Sequence, residues 1–178
     1  MTIAVYCASS DEIDAKYFKA AERLGQLMAE RGITMVNGAG RVGLMGAASN
    51  ASLSNGGRVI GVIPAFMVEY GWNHPGLSEM IQTRDIQSRQ AKMAEISDAA
   101  IALPGGVGTL AELSEVITWK QLGIYHKPIV IINTDGYWDE LLLYFERASR
   151  EHFMRRQNAI VWDVASTPEE AIDIILNL

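Results

Sequence analysis

The sequence predicts an α/β protein: a Rossmann-like, doubly wound sheet, mainly parallel, with helices on both faces. Three observations carry this. Short apolar runs alternate with longer runs of helical period along the whole chain. The apolar runs are continuous, as in Ala99–Leu103 (AAIAL) and Pro128–Asn133 (PIVIIN), which suits strands covered on both faces. Glycine clusters follow two of these runs and precede a helical pattern, the position where such sheets bind ligands.

Element by element, Ile3–Cys7 reads as a buried strand. Residues 13–31 read as a helix with Tyr17, Ala20, Ala21, Leu24, Leu27 and Met28 on one stripe, stopped by Gly32. Ile33–Val36 is a second strand, and a small-residue helix over 43–55 ends at Gly56-Gly57. Arg58–Ile63 is a third strand, closed by Pro64. Residues 64–78 read as an irregular binding loop or lid, punctuated by Gly71, Asn73, Pro75 and Gly76 and carrying Phe66, Met67, Tyr70 and Trp72. Beyond it come a strand at Met80–Arg84, a helix at 85–97, the strand Ala99–Leu103, a helix at 109–122 and the strand Pro128–Asn133. A helix over 137–151, a short strand Ala159–Trp162 and a helix over 168–176 complete the chain. The last helix is marked by Thr167 as cap, Pro168 in the first turn and Glu170 three residues after the cap. Right-handed crossovers then give the doubly wound arrangement.

Composition narrows the function. The 178 residues are 49% apolar and carry a formal net charge of −6, so one domain spanning 1–178 is expected, with a core needing no staple. An acidic chain is a poor partner for nucleic acid. It still accommodates a small phosphorylated ligand, because a helix start binds an anion through backbone N–H groups. Cys7 is the lone cysteine, which excludes an intrachain disulfide and a cysteine-based zinc site. His74, His126 and His152 have no metal-ligand spacing, so no metal is expected. There is no basic, apolar leader and no membrane-length run, which points to a cytoplasmic protein without a membrane partner.

Two glycine loops stand at strand ends. Gly38, Gly40 and Gly43 spell G-x-G-x-x-G. The loop lies on the second βα unit, however, and the next strand ends in Pro64 rather than an acidic residue, so a nicotinamide dinucleotide is disfavoured. Tight packing and a role behind a phosphate site are balanced readings here. The second loop, Pro104-Gly105-Gly106-Val107-Gly108-Thr109, is the stronger anion site: it opens a helix and lacks the lysine of a Walker loop. Glu112 stands one turn into that helix, and Thr109-x-x-Glu112 has the spacing of a capping box. Glu115 shares its face. Arg89 has the spacing of an i, i+4 ion pair with Asp85. Taken singly, the cap and the local ion pair are the simpler readings of Glu112 and Arg89.

Taken together, these residues form a pattern. Pro104 to Glu112 matches P-G-G-x-G-T-x-x-E, the motif of the LOG (Lonely Guy) family. The stretch Leu113–Lys127, the Val42-Gly43-Leu44-Met45-Gly46 segment and the Asn133-Thr134-Asp135-Gly136-Tyr137 segment also resemble that family, so the resemblance covers nearly the whole chain. Family members, often labelled "lysine decarboxylase-like", are Rossmann-like and usually dimeric phosphoribohydrolases. They release an adenine-type base from cytokinin nucleotides or AMP. The resemblance implies that Glu112 and Arg89 are catalytic. It implies that Gly105, Gly106, Val107, Gly108 and Thr109 hold phosphate, with Ser9, Glu69, Gln90 and Thr118 as further substrate-binding positions. Glu69 fits only if its loop is two residues longer than usual. The family's M-x-x-R-K here reads Ile86-Gln87-Ser88-Arg89-Gln90, so its lysine is Gln90, and Arg41 is a candidate to restore that charge.

The expectation is a homodimeric N-glycosidase acting on a small-molecule nucleotide, a purine ribonucleoside 5′-monophosphate, without metal or organic cofactor. The bond would break through an oxocarbenium-like ribose stabilised by Glu112. The alternative is a non-catalytic nucleotide-binding protein, motivated by Gln90. A pyridoxal-phosphate decarboxylase is a poor fit, since Lys16, Lys19, Lys92 and Lys120 fall on helices and Lys127 precedes its strand.

Overall fold

Strand β1 (Thr2–Tyr6) lies at the centre of a sheet whose other strands are β2 (Thr34–Asn37), β3 (Val59–Pro64), β4 (Glu79–Thr83), β5 (Ala99–Ala102), β6 (Ile129–Ile132) and β7 (Asp163–Ala165). The computed structural model describes residues 1–154 and 160–177. The strand order is β4-β3-β2-β1-β5-β6-β7, and every pairing is parallel.

The helices are α1 (Ala15–Glu30), α2 (Gly43–Ser54), α3 (Ala65–Glu69), α4 (Ile86–Ile96), α5 (Val107–Gln121), α6 (Asp139–Arg150) and α7 (Pro168–Leu176). Side chains alternate across each strand, so β1 sends Ile3 and Val5 to one face and Ala4 and Tyr6 to the other. Leu24 and Met28 of α1, Leu44 of α2 and Ile172 of α7 cover the first face. Met93 of α4, Leu113 and Ile117 of α5 and Leu142 of α6 cover the second. Because β1 leads to α1 on one face and its neighbour β5 leads to α5 on the other, the chain reverses direction between them. A crevice opens there, at the carboxyl ends of the strands.

Close packing around that crevice depends on small residues. A Cβ at Gly25 in α1 would lie 2.2 Å from the carbonyl oxygen of Ala48 in α2, so glycine sets how near the two helices come. At Gly43 the φ of +65° and a Cβ position 2.6 Å from the Ser9 carbonyl carbon both demand glycine.

Three expectations need correction. Residues 64–78 are not wholly irregular: Ala65–Glu69 forms α3, one turn long and too short to show a period in the sequence. The last strand is Asp163–Ala165 rather than Ala159–Trp162. Ala159 lies outside the described residues. Val161 and Trp162 are apolar because they pack on the α6 side, with the Trp162 ring 4.9 Å from that of Phe145, not because they join the ladder. Helix α5 begins at Val107, two residues earlier than the expected start at 109.

Candidate active site

The crevice is a cleft of about 580 Å³. The loop after β1 contributes Cys7–Ser10, the first glycine loop contributes Gly38 and Gly40, and the second contributes Gly106–Thr109. Arg89 and Glu112 supply its charged side chains, and Met45, Met67 and Trp72 its bulky apolar ones.

The early start of α5 releases Glu112 from a capping role. Gly106 is the N-cap, with no side-chain cap, so the amides of Val107, Gly108 and Thr109 are left for another acceptor. Thr109 is therefore inside the helix, and the capping box is not made. Its side chain packs on Gly105, where a Cβ would sit 2.1 Å from Thr109 Oγ1. A Cβ at Gly106 or Gly108 would meet no protein atom, so packing does not require glycine there. Those two leave the backbone open to a close-approaching anion. Tyr137 props the loop from behind, its hydroxyl donating to the Gly105 carbonyl at 2.8 Å.

Freed from capping, Glu112 turns inward and is 5% exposed. Arg89 Nη2–H donates to Glu112 Oε1 at 2.6 Å. The two residues lie 23 positions apart and reach each other because α4 and α5 share one face of the sheet. The local pairing with Asp85 is not made; Asp85 instead accepts from the Ser88 backbone and from Arg84. Burial pushes the Glu112 carboxyl up to about 7; Arg89 opposes this and Glu115 adds to it. Arg89 Nε and Glu115 Oε2 are buried without a hydrogen-bond partner among the described residues. Arg89 Nη1 would lie 3.3 Å from a Cβ at Gly38, so the first glycine loop lets the guanidinium approach its backbone.

Of the sequence-predicted site residues, Ser9, Gly106, Val107, Gly108, Thr109, Arg89 and Glu112 meet at the cleft. Gly105 stands directly behind it. Glu69 ends α3, exposed and outside the lining. Gln90 is partly buried, also outside the lining. Thr118 is exposed further along α5, its hydroxyl donating to the Ser114 carbonyl at 2.7 Å. Arg41 is exposed and does not line the cleft. None of the five lysines lines it, which leaves no amine there for a Schiff base. The first glycine loop, balanced in the sequence between packing and a role behind the site, lines the cleft through Gly38 and Gly40, and sequence reasoning gave no role to Met45 or Tyr137.

A family model described as "Possible lysine decarboxylase" matches residues 45–175. The chain is 47% identical over 152 residues to a probable cytokinin riboside 5′-monophosphate phosphoribohydrolase, LOGL5, of Oryza sativa subsp. japonica. That match covers 85% of this chain and 62% of the rice protein. This chain belongs to the LOG family. A second LOG-family relative, the cytokinin riboside 5′-monophosphate phosphoribohydrolase of Rhodococcoides fascians, is 44% identical over 154 residues, 86% of this chain and 78% of its own. Among solved structures, the molybdenum cofactor binding protein of the phototrophic bacterium Rippkaea orientalis superposes with a TM-score of 0.74 at 28% identity, covering 99% of this chain and 95% of that one. The Moco carrier protein of Chlamydomonas reinhardtii gives 0.73 at 23% identity, with 99% and 95% coverage, and shares the LOG fold. No helix among the described residues is long and apolar enough to cross a membrane.

Proposed function

We propose that this LOG-family chain hydrolyses the N-glycosidic bond of a purine ribonucleoside 5′-monophosphate, releasing the base and ribose 5-phosphate. The observation that carries the reading is the Glu112–Arg89 pair, buried Glu112 with largely buried Arg89, lining a cleft that also holds an uncapped helix start. The Gly106–Thr109 amides would take the 5′-phosphate, aided by the α5 dipole. This explains how a chain of net charge −6 can hold a dianion: the site needs a local donor array, not a basic surface. The bond between the anomeric carbon and the base nitrogen breaks with its electron pair leaving on the base. Water supplies oxygen to the anomeric carbon, and its proton passes to the base. Glu112, as carboxylate, stabilises the positive charge that develops on the ribose. Arg89 holds that carboxylate in place and favours its ionised form against the cost of burial.

The non-catalytic alternative rested on Gln90, and Gln90 does not line the cleft. Incubation with AMP and with N6-isopentenyl-AMP tests the reading directly: free base appears from at least one, and release from neither overturns it. A homodimer is part of the proposal. Leu122, Ile124, Leu143 and Tyr144, at the α5 terminus and on α6, are each more than 60% exposed, apolar surface that a second copy would cover.

A further inference from the structure

The strand order gives the cleft a direction. The phosphate loop follows β5 and the α3 segment follows β3, three places away in the sheet. At the usual strand spacing that is about 14 Å, comparable with the reach of a nucleotide from phosphate to base. Glu112 sits with the β5 end on α5, the helix that follows it, and Arg89 reaches it there from α4. The opposite wall is Met67 and Trp72, with Met45 and Val42 beside them. Of these only Trp72 has a strong hydrogen-bonding group, its indole N–H; the methionine sulfurs are weak acceptors, and Met45 Sδ already accepts from the Gly40 amide at 3.0 Å.

Trp72 is 50% exposed although it lines the cleft. Its ring lies 5.2 Å from that of Tyr70, tilted by 31°, and Tyr70 meets Phe66 edge-on at 6.4 Å. The segment that carries it is tied down. Gly71, at φ +67°, turns the chain out of α3. Asn73 bridges to Gly40, and the His74 amide donates to the Ala39 carbonyl at 2.8 Å. The Gly76 amide donates to His74 Nδ1, so Nε2 carries the proton and donates to Asn50 Oδ1 at 2.9 Å. Burial lowers the His74 pKa, which keeps the ring in this neutral form.

We propose that Trp72, backed by Tyr70 and flanked by Met67, is the platform on which the substrate base stacks. This rests on the phosphoribohydrolase reading and extends it to base selection. Selection then works through the ring face and apolar area, with little reading of hydrogen-bonding groups on the base edge. Purines are preferred over the smaller pyrimidines, and an apolar substituent on the exocyclic nitrogen is accepted.

The test compares Trp72→Ala and Trp72→Phe with the unmodified chain on AMP and N6-isopentenyl-AMP, with ribose 5-phosphate as a product inhibitor that lacks a base. In Trp72→Ala, KM rises about tenfold or more for both nucleotides, the scale of one lost base–aromatic stack. The fall in kcat is much smaller, and Trp72→Phe recovers most of the loss. Inhibition by ribose 5-phosphate stays the same in all three proteins. An unchanged KM, or ribose 5-phosphate inhibition weakened as much as KM, overturns the platform. Tryptophan fluorescence separates this from failure of the enzymatic reading. If no base is released but AMP quenches emission in the unmodified chain and not in Trp72→Phe, the platform stands without hydrolysis. Quenching that is equal in both proteins overturns it.

Discussion

Glu112 shows how a carboxylate can be held on the edge of ionisation. Taking it out of water disfavours its charge, while the Arg89 guanidinium at 2.6 Å favours it. Desolvation wins, leaving the group near 7. The working form in our mechanism is the carboxylate, so activity falls about tenfold per pH unit below that value and levels off above it. A kcat/KM profile with no limb between pH 6 and 8 contradicts this assignment. Glu112→Gln removes the charge while keeping the shape, and kcat falls about 10²–10³-fold in steady-state assay. Arg89→Gln removes the opposing cation, so the limb of the same profile moves to higher pH. The sign for stability follows as well. Because the folded value lies above the ordinary 4.5 of a free glutamate, Glu112 contributes stability below about pH 4.5 that is lost as pH rises through about 7. The site is therefore a cost to the fold at the pH where it works.

At the scale of elements, placement of the charges depends on where helices begin and how closely they pack. Helix α5 starts at Val107 because Gly106 takes the cap position, which frees both the first-turn amides and Glu112. Tyr137 supports that start through Gly105, with its ring edge-on to Tyr17 at 5.5 Å and to Trp138 at 4.9 Å. Tyr137→Phe removes one hydrogen bond, worth about 1 kcal/mol. It raises KM for the nucleotide and weakens ribose 5-phosphate inhibition together, since both use the phosphate loop. On the other face, Gly25→Ala forces a methyl against the Ala48 backbone. The gain in helix propensity is outweighed, and urea unfolding shows a loss of about 1–3 kcal/mol. The patterns of α1 and β1 to β6 were legible in the sequence because long stripes and continuous apolar runs have few other uses. Strand β7 was not, because its three residues have little apolar signal beside the more hydrophobic Val161–Trp162.

For the whole molecule, sheet order and surface matter most. The reversal between β1 and β5 creates the cleft, and strands up to β3 extend it to the length of a nucleotide. The apolar residues exposed on α6 and beyond α5 are the surface on which the proposed homodimer rests. Sedimentation velocity gives a species of twice the 19.5 kDa chain mass at micromolar concentration; a monomer there removes the dimer from the proposal.

By itself, the sequence determined the fold class, the glycine loop that opens α5 and the family, because periodicity, glycine spacing and the P-G-G-x-G-T-x-x-E motif are local properties of the chain. It assigned Glu112 and Arg89 a catalytic role only as an implication of the family resemblance. Local rules assigned one to a cap and the other to Asp85, and both assignments were reasonable within one turn of helix. Only the tertiary structure joined them, because their contact spans 23 residues and requires α4 and α5 on the same face of the sheet. It likewise decided that Trp72 faces the cleft, through the bridge from Asn73 to Gly40 and the buried hydrogen bonds of His74. Side chains far apart in sequence acquire a shared chemistry when the sheet brings their elements together and burial removes the water between them.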